Sequence, residues 1–123
     1  MKLRIQNNSI RLRLNRREVA DFTSGGLLED TLEYPSGRLV YGIQSSVDAP
    51  RTEVLLDVSS IRIVLPAEVA HDWTDTERVG VSAEIEFGEG KRLSVLVEKE
   101  FRRLHGATND PDLYPNPLEG HIH

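Results

Sequence analysis

The chain has no cysteine. That excludes disulfides, thiolate nucleophiles and thiolate-bound metals, and it leaves the redox compartment open. Long apolar runs are missing too. The longest, Val95-Leu96-Val97 with Leu93 nearby, falls far short of the ~20 residues a membrane-spanning helix needs. The opening Met1-Lys2-Leu3-Arg4-Ile5 is not followed by an apolar segment of the secretory kind, so the expectation is a cytoplasmic protein with no membrane contact. No Gly-rich phosphate loop is present, and neither Ser59-Ser60 nor Ser24-Gly25-Gly26 has a triad context. There is a single Trp, and a lone Trp four residues after Val69, on the same helical face, reads as a core anchor. The first 17 residues contain no acid, although the 123-residue chain has a net charge of −5.

That acid-free stretch carries Lys2, Arg4, Arg11, Arg13, Arg16 and Arg17, while the other nine Lys/Arg stand against all 20 acids. The asymmetry gives two expectations. Either the basic edge meets an anionic ligand, or it pairs with acids of the same chain.

The chain also repeats a phrase. Ser9-Ile10-Arg11-Leu12-Arg13-Leu14 is followed by Glu18-Val19-Ala20, and Ser60-Ile61-Arg62-Ile63-Val64-Leu65 by Glu68-Val69-Ala70. Each copy then shows two further apolar alternations around a turn. The prediction is an α+β, mainly antiparallel fold. A small barrel-like sheet would form from two pseudo-repeated ββαββ units with two short helices. The expected domain is residues 1–104 (pseudo-repeats 1–47 and 52–104), followed by an extended tail over 105–123 in which Leu113 and Tyr114 dock on the body.

The local pattern supplies the elements. Lys2–Ile5 and Ile10–Leu14 alternate apolar and basic residues, the mark of half-buried strands. A turn at Asn7-Asn8 sets Ile5 opposite Ile10, Leu3 opposite Leu12, Arg4 opposite Arg11 and Lys2 opposite Arg13. Asn15 followed by Glu18 is a capping box, with Val19 and Phe22 on one helical face and Gly25-Gly26 as the stop. A four-residue loop around Pro35-Ser36-Gly37 joins the next two strands and places Asp30 inside, near Ile43. A turn at Ser59-Ser60 pairs Leu56 with Ile63 and Asp57 with Arg62. Pro66 opens the second helix, which buries Val69 and Trp73 and leaves His71 in solvent. Val79 to Phe87 forms the last hairpin through Gly88-Glu89-Gly90, with Ile85 facing Leu93, Ala83 facing Val95, Val81 facing Val97 and Glu86 facing Arg92.

The stretch Ser60-Ile61-Arg62-Ile63-Val64-Leu65-Pro66-Ala67-Glu68-Val69 resembles the strand-into-helix signature of AbrB-type swapped-hairpin domains. The resemblance implies a fused pseudo-dimer that contacts nucleic acid through basic residues. It covers residues 52–99 well and 2–46 loosely, where Leu14-Asn15-Arg16 lacks the proline. The whole chain also resembles a small bacterial family of uncharacterised proteins, through its opening Met-Lys-Leu-Arg-Ile, Asn8–Leu14, Val97-Glu98-Lys99 and Tyr114-Pro115-Asn116-Pro117. That likeness implies no activity.

The functional expectation is a non-enzymatic binding or structural module with a protein partner, itself a monomer or weak homodimer. The alternative is nucleic-acid or anion binding by Lys2, Arg4, Arg11, Arg13, Arg16 and Arg17. No catalytic residue, metal ligand set or cofactor is assigned. Glu84 with Glu86, and Glu98 with Glu100, share strand faces but lie outward. His121 and His123 lack the further ligands a zinc site needs.

Overall fold

A computed structural model describes residues 1–101 and 111–115. The order is β1 (Lys2–Gln6), β2 (Ser9–Leu14), α1 (Arg16–Gly25), β3 (Leu27–Tyr34), β4 (Gly37–Ser46), β5 (Glu53–Asp57), β6 (Ser60–Pro66), α2 (Ala67–Asp75), β7 (Gly80–Phe87) and β8 (Lys91–Lys99). Each half is therefore ββαββ.

The halves do not fold side by side. Sheet A runs β1-β2-β8-β7 and sheet B runs β3-β4-β6-β5. Each sheet takes one hairpin from each half. The joining ladders, β2 with β8 and β4 with β6, are parallel, and all other pairs are antiparallel. The two joins also match in register. Arg11 lies opposite Leu96 and Arg13 opposite Glu98 in one, while Arg62 lies opposite Gly42 and Val64 opposite Gln44 in the other. The duplicated phrase thus occupies equivalent central strands, and each copy hydrogen-bonds the other half's hairpin.

The α+β class with two short helices holds, but the barrel-like sheet does not close. A barrel needs one continuous ladder. Here β1, β7, β3 and β5 are four separate edges.

A single core forms where the inward faces of both sheets meet one face of each helix. Ile10, Leu12, Leu14, Val81, Val95 and Val97 come from sheet A, Ile43, Ile61, Ile63 and Leu65 from sheet B, and Val19, Phe22, Ala70 and Trp73 from the helices. Trp73 is the anchor. It is fully buried, its ring lies 6.3 Å from that of Phe22, and its indole N–H donates to the Val79 carbonyl at 3.1 Å. A buried indole needs such an acceptor.

The first hairpin has the register read from its alternation, with Asn7 in the left-handed conformation (φ 51°) at the turn. The Asn15 capping box forms in both directions at 2.9 Å, and Gly26 closes α1 in the left-handed conformation. The β7–β8 register also agrees with the alternation.

Three local expectations are corrected. The β3–β4 turn has two residues, Pro35-Ser36, with Tyr34 opposite Gly37. Asp30 consequently faces Tyr41 instead of Ile43, and it has a partner there, since the Met1 ammonium donates to it at 3.2 Å. The β5–β6 turn is Val58-Ser59, so Leu56 lies opposite Ile61 and Leu55 opposite Arg62. This shift of two residues keeps every side chain on its face, but it removes the Asp57–Arg62 pair. Arg62 instead donates to Glu29 at 3.0 Å and to Gln44 at 3.2 Å. Pro66 ends β6 in an extended conformation (φ −53°, ψ 139°), and the second helix starts one residue later.

Candidate functional site

The cationic face of β1 and β2 lies on the outside of sheet A, where alternation sends Lys2, Arg4, Arg11 and Arg13 away from the core. The parallel join brings β8 alongside, and with it two acids. Glu98 accepts from Arg11 Nε at 2.7 Å and from Arg13 Nε at 2.6 Å. Glu100 pairs with Lys2. The asymmetry between the ends of the sequence is thus partly offset within the fold, with three of the six cations paired to two acids of the second half. One carboxylate shared by two guanidiniums also relieves the repulsion of like charges on neighbouring positions.

Arg16 is engaged differently. Its backbone N–H donates to the Asp112 carbonyl at 2.6 Å, and its guanidinium lies 5.4 Å from the centre of the Tyr114 ring. Lys99 approaches the same ring at 5.6 Å, and the Phe101 ring packs on it at 5.5 Å. Tyr114 N–H donates to Glu100 O at 2.9 Å. Residues 111–115 therefore dock at the start of α1 and the end of sheet A. Burial raises the Tyr114 hydroxyl pKa, with the Arg16 charge opposing. Burial lowers the Lys99 ammonium, against the pull of Glu77, although its Nζ donates to the Thr76 carbonyl at 2.7 Å. Of the six basic candidates, Arg4, Arg16 and Arg17 have no ion-pair partner among the described residues, and Arg16 has the Tyr114 ring instead.

A second polar cluster joins the sheets. The Met1 ammonium meets Glu18 and Asp30, and Tyr41 Oη donates to the Met1 carbonyl at 3.3 Å. Burial works to lower the ammonium pKa, but the hydrogen bonds and charges of Glu18 and Asp30 outweigh it and raise the group. The Tyr41 hydroxyl is raised by burial first and then by the two acids.

The carboxylate pairs have structural partners. Ser94 Oγ donates to Glu84 at 2.8 Å, and Arg92 pairs with Glu86 at 3.2 Å. His71 is exposed and lies 2.9 Å from Asp75. Among the described residues there is no cluster of three or more metal-ligating side chains, and no helix long and apolar enough to cross a membrane. His121 and His123 lie outside the described residues.

What the alternation pattern did not reveal is an apolar overhang on sheet B. The strands β4 and β6 run parallel from Gly37 and Ser60, so the Pro35-Ser36 and Val58-Ser59 turns project at the same end. The inward face continues past the core into these tips. Leu32, Tyr34 and Leu56 lie on that face at 56%, 46% and 66% exposure, and Val58, in the turn after β5, is 99% exposed. The signal was present in the sequence as alternation that persists up to each turn. Only the pairing of β4 with β6 puts the two tips at one end of the sheet.

No curated protein and no solved structure matches the chain, and the AbrB-type likeness of its halves finds no support among the comparisons. A model of a family of unknown function, DUF7009, matches residues 1–118. With nearly the whole chain so covered, including both halves and the docked Tyr114 segment, the protein belongs to that family.

Proposed function

We propose that the protein is a non-enzymatic protein-interaction module. The observation that carries this reading is the exposed apolar group at one end of sheet B, with Leu32, Tyr34 and Leu56 on its inward face and Val58 in the adjoining turn. Several exposed apolar side chains gathered at one end of a sheet mark a contact surface more often than a single one does. The partner that fits presents apolar side chains to this face. The pairing of Lys2, Arg11 and Arg13 with Glu100 and Glu98 weighs in the same direction, because it engages three of the six cations that a phosphate backbone would use.

The test is cross-linked capture from cells. Native protein should recover a defined partner, and the Leu56→Lys/Val58→Lys variant, shown to be folded by circular dichroism, should lose it. Equal recovery by both proteins would refute the reading.

Nucleic-acid binding stands as the second reading, supported by Arg4 and Arg17. Anisotropy with labelled duplex DNA and single-stranded RNA decides it. Binding that weakens steeply with salt and disappears in Arg4→Glu would favour it over the first reading.

A further inference from the structure

The two edges of sheet A carry opposite charge on the same face. On β1, Lys2 and Arg4 point outward and Leu3 and Ile5 inward. On β7, Glu84 and Glu86 point outward and Ile85 and Phe87 inward. Neither edge is paired within the described residues. Each leaves a large apolar side chain in water on the inward side, Ile5 at 60% and Phe87 at 47% exposure.

The directions are compatible as well. Strand β1 is antiparallel to β2, β2 is parallel to β8, and β8 is antiparallel to β7. The two edges therefore run the same way. A second copy in the same orientation would bring its β7 beside β1 as a parallel pair. In one register, Lys2 meets Glu84, Leu3 meets Ile85, Arg4 meets Glu86 and Ile5 meets Phe87. Opposite charges then fall together on one face and apolar side chains on the other, the combination that stabilises neighbouring strands. The competing pairings are poorer. β1 against β1 opposes cations, and β7 against β7 opposes carboxylates. On β5 the outward Glu53 and Asp57 are separated by Leu55, and on β3 the outward Glu29 and Glu33 are separated by Thr31, so neither edge matches the spacing of Lys2 and Arg4 as Glu84 and Glu86 do.

We propose that a second copy of this chain docks by its β7 edge on the β1 edge, extending sheet A across molecules. This goes beyond the partner surface on sheet B and is independent of it. Because the two edges differ, the contact is head-to-tail and gives open chains of copies rather than a closed dimer. The five-residue length of β1 makes it a small contact and therefore a weak one.

Sedimentation equilibrium of the full chain at low and high salt tests this. The weight-average mass should rise without a plateau, roughly doubling between about 10 µM and about 1 mM, and should fall back at high salt. Arg4→Glu and Glu86→Arg should each remain monomeric, and an equimolar mixture of the two should regain assembly as alternating chains, because the altered edge of each variant is complementary to the altered edge of the other. The double variant Arg4→Glu/Glu86→Arg should regain assembly. Circular dichroism checks that all three variants are folded, and Leu56→Lys/Val58→Lys should assemble as the native chain does. A native chain that stays monomeric over this range, or single variants that assemble undiminished, would overturn the proposal. So would a double variant that fails to regain assembly while folded.

Discussion

Cutting the chain between Ala49 and Pro50 separates the halves without touching any strand. Because β2 needs β8 and β4 needs β6, neither half owns a complete sheet. Residues 1–49 alone would hold two hairpins and a helix whose inward faces have no partner. Two-stranded hairpins are marginal in water at best. Residues 1–49 and 50–123 expressed singly should therefore show no cooperative thermal transition, and mixed they should assemble into the native fold. The linker's contribution can be estimated. A short flexible tether supplies an effective concentration of about 1 mM. At about 10 µM of each piece its loss costs RT ln 100, about 2.7 kcal/mol. That is a fraction of the roughly 5–15 kcal/mol of an ordinary domain, so the pair should survive with its Tm lowered by about 10 °C. Each further tenfold dilution should remove about 1.4 kcal/mol more, whereas the Tm of the intact chain should not depend on concentration at these levels. Calorimetry across a dilution series reads all of this. A dispersed NMR spectrum or cooperative melting from either half alone would refute the reasoning.

Two glycines offer a contrast. A methyl group at Gly42 would overlap the Leu28 carbonyl oxygen and stand 2.9 Å from Glu29 Cγ, while one at Gly25 meets nothing within 4 Å. Gly42→Ala should destabilise by about 2 kcal/mol or more, and Gly25→Ala should be neutral or stabilise by up to about 1 kcal/mol, as read by denaturant midpoints. Asn15→Ala removes the cap of α1 and should cost about 1 kcal/mol, with early loss of hydrogen-exchange protection at Glu18. Glu98→Gln weakens the bonds to Arg11 and Arg13. Given the partial exposure of both guanidiniums, the expected loss is about 1 kcal/mol, together with stronger retention on a polyanion column. For Lys99 the folded pKa is lowered by burial, so the folded state binds its proton less tightly than the unfolded one. Its unfavourable contribution is therefore present in full below the folded pKa and fades as pH rises towards the ordinary value of about 10.5. The stability of the native chain relative to Lys99→Met should rise through that window. A flat difference would show that the ammonium is not desolvated.

The hairpins and helices were legible because each depends on neighbours in sequence. Asn7-Asn8 sets the Leu3–Leu12 register, Asn15 and Glu18 cap α1, and strict alternation from Val81 to Phe87 defines β7. The two turns misread by a residue or two, Pro35-Ser36 and Val58-Ser59, lie where several registers put the same side chains inward, so hydrophobicity does not choose among them. The choice came from distant partners, as in the Met1 ammonium that holds Asp30 and the Glu29 that draws Arg62 away from Asp57.

By itself the sequence determined the local structure and the duplication, since periodicity, caps and turns act over a few residues. It also determined that the basic charge gathers at one end. What pairs with that charge was decided by tertiary structure, because Glu98 and Glu100 reach Arg11, Arg13 and Lys2 only through the parallel join of β2 with β8. The same holds for the apolar overhang of sheet B and for the opposite charges on the two edges of sheet A. Each is made by strands from different halves, and a pattern confined to one strand carries no information about which hairpin will lie beside it.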